Sequence, residues 1–536
     1  MTPKQEKSLR VALVQATPIS WMPVGMGMIA AVLEEENCEI FPVVNNFKNY
    51  RELDELAKEI LDVEPDIVGL SFMTYGVREN YYLANLLRKE NGNIILISGG
   101  AHPTYLPEES IENGFDFAVM GEGEESSVEL VKHIRQPDIY PVNEITGIGY
   151  RSENEGIVKG ESRSVNKELD LLPYPARHIF NKDDFLQSDG ELKGYGAIFS
   201  TRGCPFRCTF CAYGSFGKKF RKRSVMNTVD EIEQVQKEYD VHTFNFLDDT
   251  FFIDHPRGVQ ICEEIINRGL NIKWNCGCRV GDVNEETLKI QKKSGCFMMN
   301  FGIESGDPDT LIRLKKLITV DQTIEAVKMT TQAGIKVYSN MMMGFPWETT
   351  ENINNSLNLV DQIGPYSYQI SMGGALVPIP NTEIYDEYKS EYNFENYWLK
   401  DEYQNVGQGI WKNVNNPYKV STWFERNMYD DTVIRDEIFF NYTRREKKAL
   451  YKLMRRIGYY NVTNQYGRSW RTIFYLAVGY GSFYLHGIFP SLEKFVVPLF
   501  KKDAIKIHGS YGVGYKKRKG SDETYNCFHE TNYVDH

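Results

Sequence analysis

The chain has 536 residues, which is enough for two or three domains with large buried cores. With 42% hydrophobic and 25% charged residues, it has the composition of an ordinary globular protein. Its net charge of −12 argues against a protein that binds nucleic acid through phosphate contacts, because such proteins are basic.

Cysteine usage and the first residues indicate the compartment. Nine cysteines, an odd number without a pairing pattern, are typical of a reducing environment. Residues 1–7 contain no apolar core, so we do not expect them to act as a secretion signal. The sequence therefore predicts a cytoplasmic protein.

Residues 8–140 alternate between short apolar runs and segments with helical spacing. Strand-like runs occupy residues 11–14, 40–44, 66–72, 94–97 and 115–120, with helical spacing between them, as in residues 51–61 and 79–89. This alternation predicts a parallel, doubly wound (Rossmann-like) sheet, which binds ligands at the carboxyl ends of its strands. Those ends carry small residues, Gly69 and Ser71 and then residues 98–100. Glycine lets a large ligand approach the backbone closely, but tight turns alone would explain these residues equally well.

A connector, residues 141–194, leads to a C-x3-C-x2-C run formed by Cys204, Cys208 and Cys211. Three thiolates within eight residues suit three irons of a [4Fe–4S] cluster, because cysteine sulfur holds such clusters. The fourth iron then has no protein ligand from this loop and is open to a substrate.

Zinc is the alternative occupant of this cysteine run. Structural zinc sites take four ligands, usually in closely spaced pairs. The closest further cysteine is Cys262, and the closest histidines, His178 and His242, belong to neighbouring segments. The spacing therefore favours the cluster.

Six further strand candidates follow, with helix candidates such as residues 225–239 and 321–333 between them. Six strands suit a partial (β/α)6 barrel over residues 195–385 better than a closed barrel of eight, and active sites of such barrels lie at the carboxyl ends of the strands. The predicted strands are residues 195–200, 242–247, 272–276, 297–303, 336–342 and 366–372.

Four other cysteines lie in this region. Cys276 and Cys278 form a C-x-C pair that could indicate a second metal, whereas Cys262 and Cys296 have no metal-binding spacing. Because most cysteines are small buried apolar residues, we expect core positions, although Cys276 or Cys278 could face the pocket.

In residues 386–536 the alternation stops, and tyrosine and tryptophan become frequent. A charged helical stretch, residues 435–456, predicts a mostly helical cap that closes the barrel mouth. The uncharged segment 473–489 is marginal for crossing a bilayer, and we expect a buried helix. A membrane-surface segment and a groove for a lipidic substrate are the alternatives. The polar tail, residues 516–536, is expected to be loosely ordered.

With Phe210 before its third cysteine, the cysteine run resembles the signature of the radical S-adenosylmethionine (SAM) superfamily. The resemblance implies that SAM binds the open iron through its amino and carboxylate groups. It further implies that reduction, by a donor such as flavodoxin or ferredoxin, cleaves SAM to a 5′-deoxyadenosyl radical.

The carboxyl ends of the predicted barrel strands resemble the SAM contacts of that superfamily in their order and spacing. An arginine suits the SAM carboxylate because its guanidinium pairs with two oxygens. The neighbouring Asp248 and Asp249 could instead be a general acid–base pair. The implied SAM-binding residues are Phe210, Asp248, Asp249, Arg279, Glu304, Ser305 and Gly344.

Residues 97–104 and 115–124 resemble the cobalamin-binding domain that precedes the radical SAM domain in one large subclass. That subclass includes cobalamin-dependent methylases and the anaerobic cyclase of bacteriochlorophyll synthesis. The resemblance implies cobalamin as a cofactor of residues 8–140. The implied cobalamin-binding residues are Gly69, Ser71, Thr74, Ser98, Gly99, Gly100, His102 and Glu122.

Many cobalamin proteins carry D-x-H-x-x-G, whose histidine ligates cobalt from below. This module lacks that motif, and the near match at residues 240–245 has no glycine and lies in the next domain. We therefore expect no histidine from such a motif on cobalt. His102 is predicted to hydrogen-bond a loop or a cofactor side chain.

Together the resemblances imply a cobalamin-dependent radical SAM methyltransferase. In that class the methyl group moves from SAM through methylcobalamin to an unactivated carbon, after the radical has removed a hydrogen. An oxidative cyclase or rearrangement enzyme of tetrapyrrole type and a non-catalytic cobalamin or iron–sulfur sensor are the alternatives. The expected substrate is a small molecule, a lipid or a protein side chain, without nucleic acid and without membrane contact.

Overall fold

The computed structural model describes residues 8–19, 21–46, 50–185, 194–212, 217, 219–400, 443–466, 514–517 and 524–527. The predicted apolar segment 473–489 and most of the tail 516–536 lie outside the described residues. No helix within the described ranges is both long enough and apolar enough to cross a bilayer.

The first sheet has seven strands in the order β2-β1-β3-β4-β5-β6-β7, and its first five strands are parallel. This confirms the predicted doubly wound arrangement. Its parallel strands are β1 (Leu9–Ile19), β2 (Cys38–Asn46), β3 (Ile67–Ser71), β4 (Ile95–Gly99) and β5 (Phe117–Val119). Its helices are α1 (Val24–Glu35), α2 (Leu53–Asp62), α3 (Val77–Glu90), α4 (Ala101–Tyr105), α5 (Pro107–Glu112) and α6 (Glu124–Arg135).

Alternate side chains of β1 pack into separate cores on the two sides of this sheet. Val11 belongs to the hydrophobic cluster that includes Met28 of α1. The next residue, Ala12, belongs to the cluster that includes Leu56 of α2. Since successive side chains of a strand point to opposite faces, β1 is buried on both sides, as parallel sheets covered by helices require.

Two strands that the sequence analysis did not predict extend this sheet. β6 (Ile148–Ser152) pairs antiparallel with β5, and β7 (Gly156–Lys159) pairs antiparallel with β6. Both lie in the segment that we expected to be only a connector. The outermost strand, β7, has no buried residue, so its sequence lacks the apolar run that marks a core strand. We refer to residues 9–159, with this sheet and its helices, as the first module.

A six-stranded parallel sheet with the strand order β15-β14-β13-β12-β11-β8 confirms the predicted partial barrel. Its strands are β8 (Ala197–Ile198), β11 (Thr243–Phe246), β12 (Lys273–Cys278), β13 (Cys296–Glu304), β14 (Lys336–Met343) and β15 (Gln369–Ala375). A short hairpin of β9 (Thr201–Arg202) and β10 (Arg221–Lys222) follows β8. The barrel helices are α7 (Val225–Tyr239), α8 (His255–Asn267), α9 (Glu285–Lys293), α10 (Pro308–Arg313), α11 (Val320–Gln332) and α12 (Thr350–Ile363).

Side-chain caps determine where the barrel helices begin. The Ser224 hydroxyl accepts a hydrogen bond from the Asn227 backbone at the start of α7. Thr319 and Thr349 form reciprocal capping boxes at the starts of α11 and α12. Each cap satisfies backbone N–H groups that a helix leaves without partners, which explains why the predicted helix 225–239 begins where it does.

Residues 376–400 return from the barrel to the first module. This stretch contains α13 (Glu383–Tyr388) and a 3-10 turn, Tyr397–Leu399. Tyr385 and Trp398 belong to the same hydrophobic cluster as Phe72, which follows β3. The C-terminal region therefore contributes to the core of the first module.

The last long helix covers the edge of the barrel sheet. α14 (Arg444–Tyr466) extends further towards the C-terminus than the predicted helical stretch 435–456, whose first eight residues lie outside the described ranges. The Asn461 side chain accepts a hydrogen bond from the Ile370 backbone N–H at 2.7 Å and donates one to its carbonyl at 2.8 Å. Asn461 thus supplies the hydrogen bonds that a further strand would give to β15. A separate antiparallel pair consists of β16 (Gly514–Lys517) and β17 (Thr524–Cys527).

Candidate functional site

The three predicted cluster cysteines lie on one loop, residues 203–212, between β9 and β10 (the cysteine loop). Its first residue, Gly203, has φ +80, and a Cβ there would lie 2.5 Å from the Lys219 carbonyl oxygen. Only glycine therefore permits the close approach of the two hairpin arms at this point. Further along, the Thr209 N–H donates to the Leu314 carbonyl at 3.1 Å, and the Thr209 carbonyl accepts from Ile384 at 3.1 Å. The loop is thus fixed to the ends of α10 and α13.

The thiols of this loop lie close to one another in a partly desolvated environment. Cys208 is buried, Cys204 is half-buried and Cys211 is exposed. Desolvation by surrounding protein atoms raises the pKa of the Cys204 thiol. The same effect, together with the neighbouring Cys208 thiol, raises the pKa of Cys211 to about 12 even though that residue is exposed to solvent. The Cys211 N–H also donates to the Cys208 carbonyl at 3.1 Å, which curls the loop.

This donor set fits a [4Fe–4S] cluster. Within the described ranges, no three or more His, Cys, Asp or Glu side chains are close enough together to hold a metal ion. A cubic cluster does not require such convergence, because each cysteine binds a different iron. Three sulfurs on one curled loop match the number of ligands that three irons need, and the assignment of these cysteines to the cluster stays a prediction.

Asp248 holds the chain just before the cysteine loop. Its carboxylate accepts hydrogen bonds from the backbone N–H groups of Ser200, at 2.7 Å, and Thr201, at 2.9 Å, and from the Ser200 hydroxyl. The side chain is buried, and this burial raises its pKa in spite of these hydrogen bonds. The carboxylate is therefore used by the protein itself, and its contact with SAM stays a prediction.

Asp249 lies in a different environment from its neighbour. It is exposed and makes no hydrogen bond or ion pair within the described part of the chain. Surrounding protein atoms, together with the Asp248 carboxylate, raise its pKa. It also interacts electrostatically with Cys204 and Cys211, which places it beside the cysteine loop.

The carboxyl end of β13 carries a buried ion pair beside the same loop. Glu304 Oε1 lies 2.8 Å from Lys316 Nζ, and each side chain is only 9% exposed. The Lys316 ammonium is 5.8 Å from the centre of the Phe210 ring. A Cβ on Gly302 would lie 2.6 Å from the Glu304 carboxylate, so glycine makes room for the pair. Lys316 was missed in the sequence analysis, because nothing in the run after α10 distinguishes it from its neighbour Lys315.

Arg279, at the carboxyl end of β12, contacts the cysteine loop directly. The centre of its guanidinium lies 3.5 Å from the centre of the Phe206 ring, a cation–π arrangement. One of its nitrogens, Nη2, donates to the Lys316 carbonyl. Arg279 thus joins the loop to the segment that carries Lys316.

The other predicted SAM residues lie at neighbouring strand ends. Ser305 is buried, and its hydroxyl accepts from the Asp307 N–H at 3.1 Å in the turn before α10. Gly344, with φ +81, follows β14 and donates its N–H to Glu348 at 2.7 Å. Because β11 to β14 are adjacent parallel strands, the structure brings all these residues to one edge of the barrel, beside the cysteine loop.

The carboxyl ends of β3 and β4 carry the predicted cobalamin glycines. At Gly99 a Cβ would meet nothing within 4 Å, so the residue borders open space, and Ser71 is its partner on β3. Gly100 has φ +93, and a Cβ there would lie 2.8 Å from the Phe72 carbonyl oxygen. The two glycines therefore differ: Gly99 borders open space, whereas Gly100 is required by its backbone conformation and close packing.

Two predicted cobalamin residues lie deeper in the sheet. Ser98 is wholly buried and its hydroxyl donates to the Phe117 carbonyl at 3.3 Å. A Cβ on Gly69 would lie 3.1 Å from the Leu13 side chain. Their contact with cobalamin stays a prediction.

His102 has both ring nitrogens engaged within the protein. Nδ1 lies 3.1 Å from the Thr74 hydroxyl and Nε2 lies 3.0 Å from Glu109 Oε1. The Trp398 indole N–H donates to the same carboxylate at 3.0 Å, and the His102 ring is wholly buried. In this arrangement His102 has no nitrogen available for cobalt.

Glu122 belongs to a group of four buried charged residues that we call the Glu–Arg cluster, namely Glu122, Glu124, Arg202 and Arg221. Arg221 donates to both Glu122 oxygens, at 2.6 and 2.9 Å. Arg202 donates to Glu124 at 2.5 Å and lies 3.5 Å from Glu122. The sequence analysis did not predict this cluster, and a contact between Glu122 and cobalamin stays a prediction.

Exposed large side chains at the edge of the first module were also missed. Trp21 follows β1 and is 51% exposed, while Met73 and Tyr75 follow β3 and are 45% and 38% exposed. Large apolar side chains in loops after strands are the sequence signal that could have indicated them. A group of exposed apolar residues at the ligand-binding edge of a sheet is typical of a binding surface.

The C-x-C pair lies in the barrel core. Cys276 and Cys278 are buried, and this burial raises the pKa of both thiols. They share a hydrophobic cluster with Cys262 and Cys296. The expectation of core positions for these four cysteines agrees with this packing.

The chain resembles known proteins in both modules. The B12 binding domain family matches residues 10–131, and the radical SAM superfamily matches residues 198–360. A Pyrococcus horikoshii protein described as an uncharacterized methyltransferase is 30% identical over 367 residues, which cover 68% of this chain and 78% of that protein. The anaerobic magnesium-protoporphyrin IX monomethyl ester cyclase of Rubrivivax gelatinosus is 25% identical over 386 residues, which cover 70% of this chain and 69% of that protein.

A solved structure supports the same fold. The radical SAM methyltransferase TsrM from Kitasatospora setae, with cobalamin and a [4Fe–4S] cluster bound, superposes with a TM-score of 0.60 at 18% identity. The superposition covers 72% of this chain and 75% of that one.

Fold, site and matches together define the class of enzymes that join a B12 binding domain to a radical SAM domain. The chain belongs to this cobalamin-binding radical SAM family. Its cofactors are therefore a [4Fe–4S] cluster, SAM and cobalamin. The prediction of a cobalamin-dependent radical SAM methyltransferase is confirmed, and the cyclase and sensor alternatives are not favoured.

Proposed function

We propose that this enzyme transfers a methyl group from SAM, by way of cobalamin, to an unactivated carbon of a small molecule, a lipid or a protein side chain. The observation that carries the proposal is the position of the cysteine loop. It lies between the SAM-type strand ends of the barrel and the first module, to which the Glu–Arg cluster joins it.

The cofactors carry the difficult chemistry, and the chain positions them. When bound, the cluster supplies the electron that cleaves SAM to an adenosyl radical, and cobalamin carries the methyl group. Cys204, Cys208 and Cys211 would hold the cluster. Gly99, which borders open space at the end of β4, would help to hold cobalamin.

The barrel strand ends are matched to the charges of SAM. The exposed Asp249 carboxylate and the buried Glu304 carboxylate offer acceptors for the SAM ammonium or ribose. Arg279 Nη2 donates a hydrogen bond to the Lys316 carbonyl, and the guanidinium has further N–H donors for the SAM carboxylate. Gly344, at the end of β14, would lie against the adenine, as the family pattern implies. Ser305 would lie near the ribose and the methionyl group.

The reaction also needs a source of electrons. We assign this role to a small reducing protein such as flavodoxin or ferredoxin. The odd cysteine count and the absence of a pairing pattern support a cytoplasmic, reducing location.

In the test, the reconstituted enzyme is incubated anaerobically with SAM that carries a deuterated methyl group. The incubation contains an extract of the cells in which the enzyme naturally occurs. Labelled products identify the methyl acceptor. A methyltransferase of this kind consumes two SAM molecules per product, so deoxyadenosine and S-adenosylhomocysteine should form in nearly equal amounts.

Each alternative predicts a different result in the same experiment. A cyclase would form deoxyadenosine without matching S-adenosylhomocysteine and would give a product without an added CH2 unit. A sensor would form no deoxyadenosine on reduction. Either outcome would overturn the proposal.

A further inference from the structure

The Glu–Arg cluster connects the two cofactor-binding parts of the chain. Glu122 and Glu124 lie just after β5, at the ligand-binding edge of the first module, and Glu124 opens α6. Arg202 and Arg221 are opposite each other in the β9–β10 hairpin, and Arg202 comes two residues before Cys204. The ion pairs therefore link one module directly to the loop of the other.

The cluster is buried and electrically balanced. The side chains are 5% exposed for Arg202, 3% for Arg221, 8% for Glu122 and 9% for Glu124, and they contribute two positive and two negative charges. Buried ion pairs seldom stabilise a fold more than apolar residues of the same volume would, because desolvation offsets their attraction. Their advantage is direction, since a guanidinium that binds both oxygens of a carboxylate fixes its orientation.

The hairpin transmits this orientation to the cysteines. Arg202 also contacts the Met28 sulfur of α1 at 2.9 Å, so its side chain is held by two helices of the first module. The tight approach at Gly203, between Arg202 and Cys204, leaves little freedom at the start of the cysteine loop. A displacement of Arg202 must therefore move the loop.

We propose that Glu122, Glu124, Arg202 and Arg221 are positioning residues that set the distance between the cobalamin edge of the first module and the iron–sulfur cluster. This inference rests on the proposed function, because it matters for catalysis only if a methyl group must pass from one module to a radical formed at the other. The four side chains act on the cysteine loop through the hairpin, and this role is separate from the predicted contact between Glu122 and cobalamin.

The test compares the variant E122Q/E124Q with E231Q. The double variant removes both negative charges and keeps the volume of the side chains. Glu231 is the matched control, since its side chain is also buried, at 2% exposed, and binds two arginines, Arg177 and Arg223, neither of which lies in the first module. R221K, which keeps the charge but loses the double hydrogen bond, is the milder variant if E122Q/E124Q does not fold.

Three measurements separate positioning from mere stability. In the cofactor-free proteins, hydrogen exchange of residues 201–222 should be faster in E122Q/E124Q than in the wild type. In the loaded proteins, compared at equal cobalamin content, the iron content should be unchanged, while the dipolar coupling between cob(II)alamin and the reduced cluster changes or broadens. Methylated product per deoxyadenosine should fall by up to about a hundredfold, the loss that misplacing reacting groups by about 1 Å produces. R221K should give values between those of the wild type and E122Q/E124Q in each measurement.

Two results together would overturn the proposal. E122Q/E124Q and E231Q would lose the same thermal stability, and the dipolar coupling and product ratio of E122Q/E124Q would stay at the wild-type value. If wild-type enzyme transfers no methyl group, the proposed function fails, but hydrogen exchange and dipolar coupling still decide the positioning role.

Discussion

The Asp248 carboxylate accepts the Ser200 backbone N–H at 2.7 Å and also accepts the Ser200 hydroxyl. Asp248 therefore fixes the end of β8, just before the cysteine loop begins. The adjacent Asp249 makes no such contact within the described ranges and remains open to a ligand. Two acids that look identical in the sequence thus have different tasks.

We expect D248N and D249N to separate these tasks. D248N replaces an acceptor of backbone N–H groups with a side chain that carries a donor, and should cost about 1–3 kcal/mol of unfolding free energy. D249N should keep the iron content and weaken SAM binding about tenfold, since it removes one charged partner. Denaturant unfolding, iron analysis and SAM titration measure the three quantities. Equal effects of both variants on SAM affinity, without loss of stability in D248N, would contradict the assignment.

The raised pKa of Asp249 predicts a pH dependence. A carboxyl group whose pKa is higher in the folded chain than in the unfolded chain lowers stability as pH rises from its ordinary value through its folded value. Cofactor-free D249N should therefore have a higher melting temperature than the cofactor-free wild type at neutral pH, and the difference should vanish in acid. A lower melting temperature of D249N at neutral pH would show that Asp249 is paired within the protein.

The buried Glu304–Lys316 pair should matter for SAM cleavage and not for cobalamin loading. E304Q leaves Lys316 without its partner and removes a charged acceptor, so deoxyadenosine formation should fall at least about tenfold. R279A should act in the same direction, because it removes the guanidinium beside the cysteine loop. The control is E383Q, which breaks the neighbouring exposed pair with Lys315 and should change little. Loss of bound cobalamin in E304Q would contradict the prediction that this pair affects SAM cleavage alone.

Gly99 and Gly100 should respond differently to substitution. A leucine at Gly99 enters open space, so G99L should fold normally and bind less cobalamin. G100A places a Cβ against the Phe72 carbonyl at a positive φ and should cost about 1–3 kcal/mol of stability. Cobalamin absorbance and thermal unfolding are the measurements, and iron content should be unchanged in G99L. Full cobalamin binding by G99L would show that cobalamin does not bind against Gly99 at this edge of the sheet.

His102 should not ligate cobalt, because Thr74 and Glu109 occupy its two ring nitrogens. The paramagnetic resonance spectrum of bound cob(II)alamin should lack nitrogen splitting from an imidazole, and H102Q should leave the spectrum unchanged. H102Q should instead lower stability, since the Glu109 carboxylate, which is only 12% exposed, loses the His102 ring as a partner. Imidazole splitting in the wild type that disappears in H102Q would disprove this prediction.

The three loop cysteines should account for all cluster iron. We expect about four irons per chain in the wild type after anaerobic reconstitution. C204A/C208A/C211A should lack the brown colour of the cluster and should form no deoxyadenosine. The control is C276A/C278A, which removes two core thiols and should retain the cluster. A full cluster in the triple variant would contradict this prediction and make Cys276 and Cys278 the candidate ligands.

Several features of this protein follow from the sequence alone, because they depend on residues close together in the chain. The C-x3-C-x2-C spacing predicts the cluster loop, and apolar runs identify eleven parallel strands of the two sheets. The helical spacing of residues 225–239 and 321–333 likewise predicts α7 and α11 to within one residue. Such patterns are legible because strand and helix periodicity repeats within a few residues.

Other features were decided only by the tertiary structure. Glu122 and Arg221 are 99 residues apart, and Glu109 and Trp398 are 289 residues apart, yet each pair is in direct contact. The sequence could not separate Asp248 from Asp249, nor Lys316 from Lys315, because each pair has the same chemistry and the same local pattern. Which member is buried depends on how strands and helices distant in the chain pack, and that packing leaves no periodic signal in the sequence.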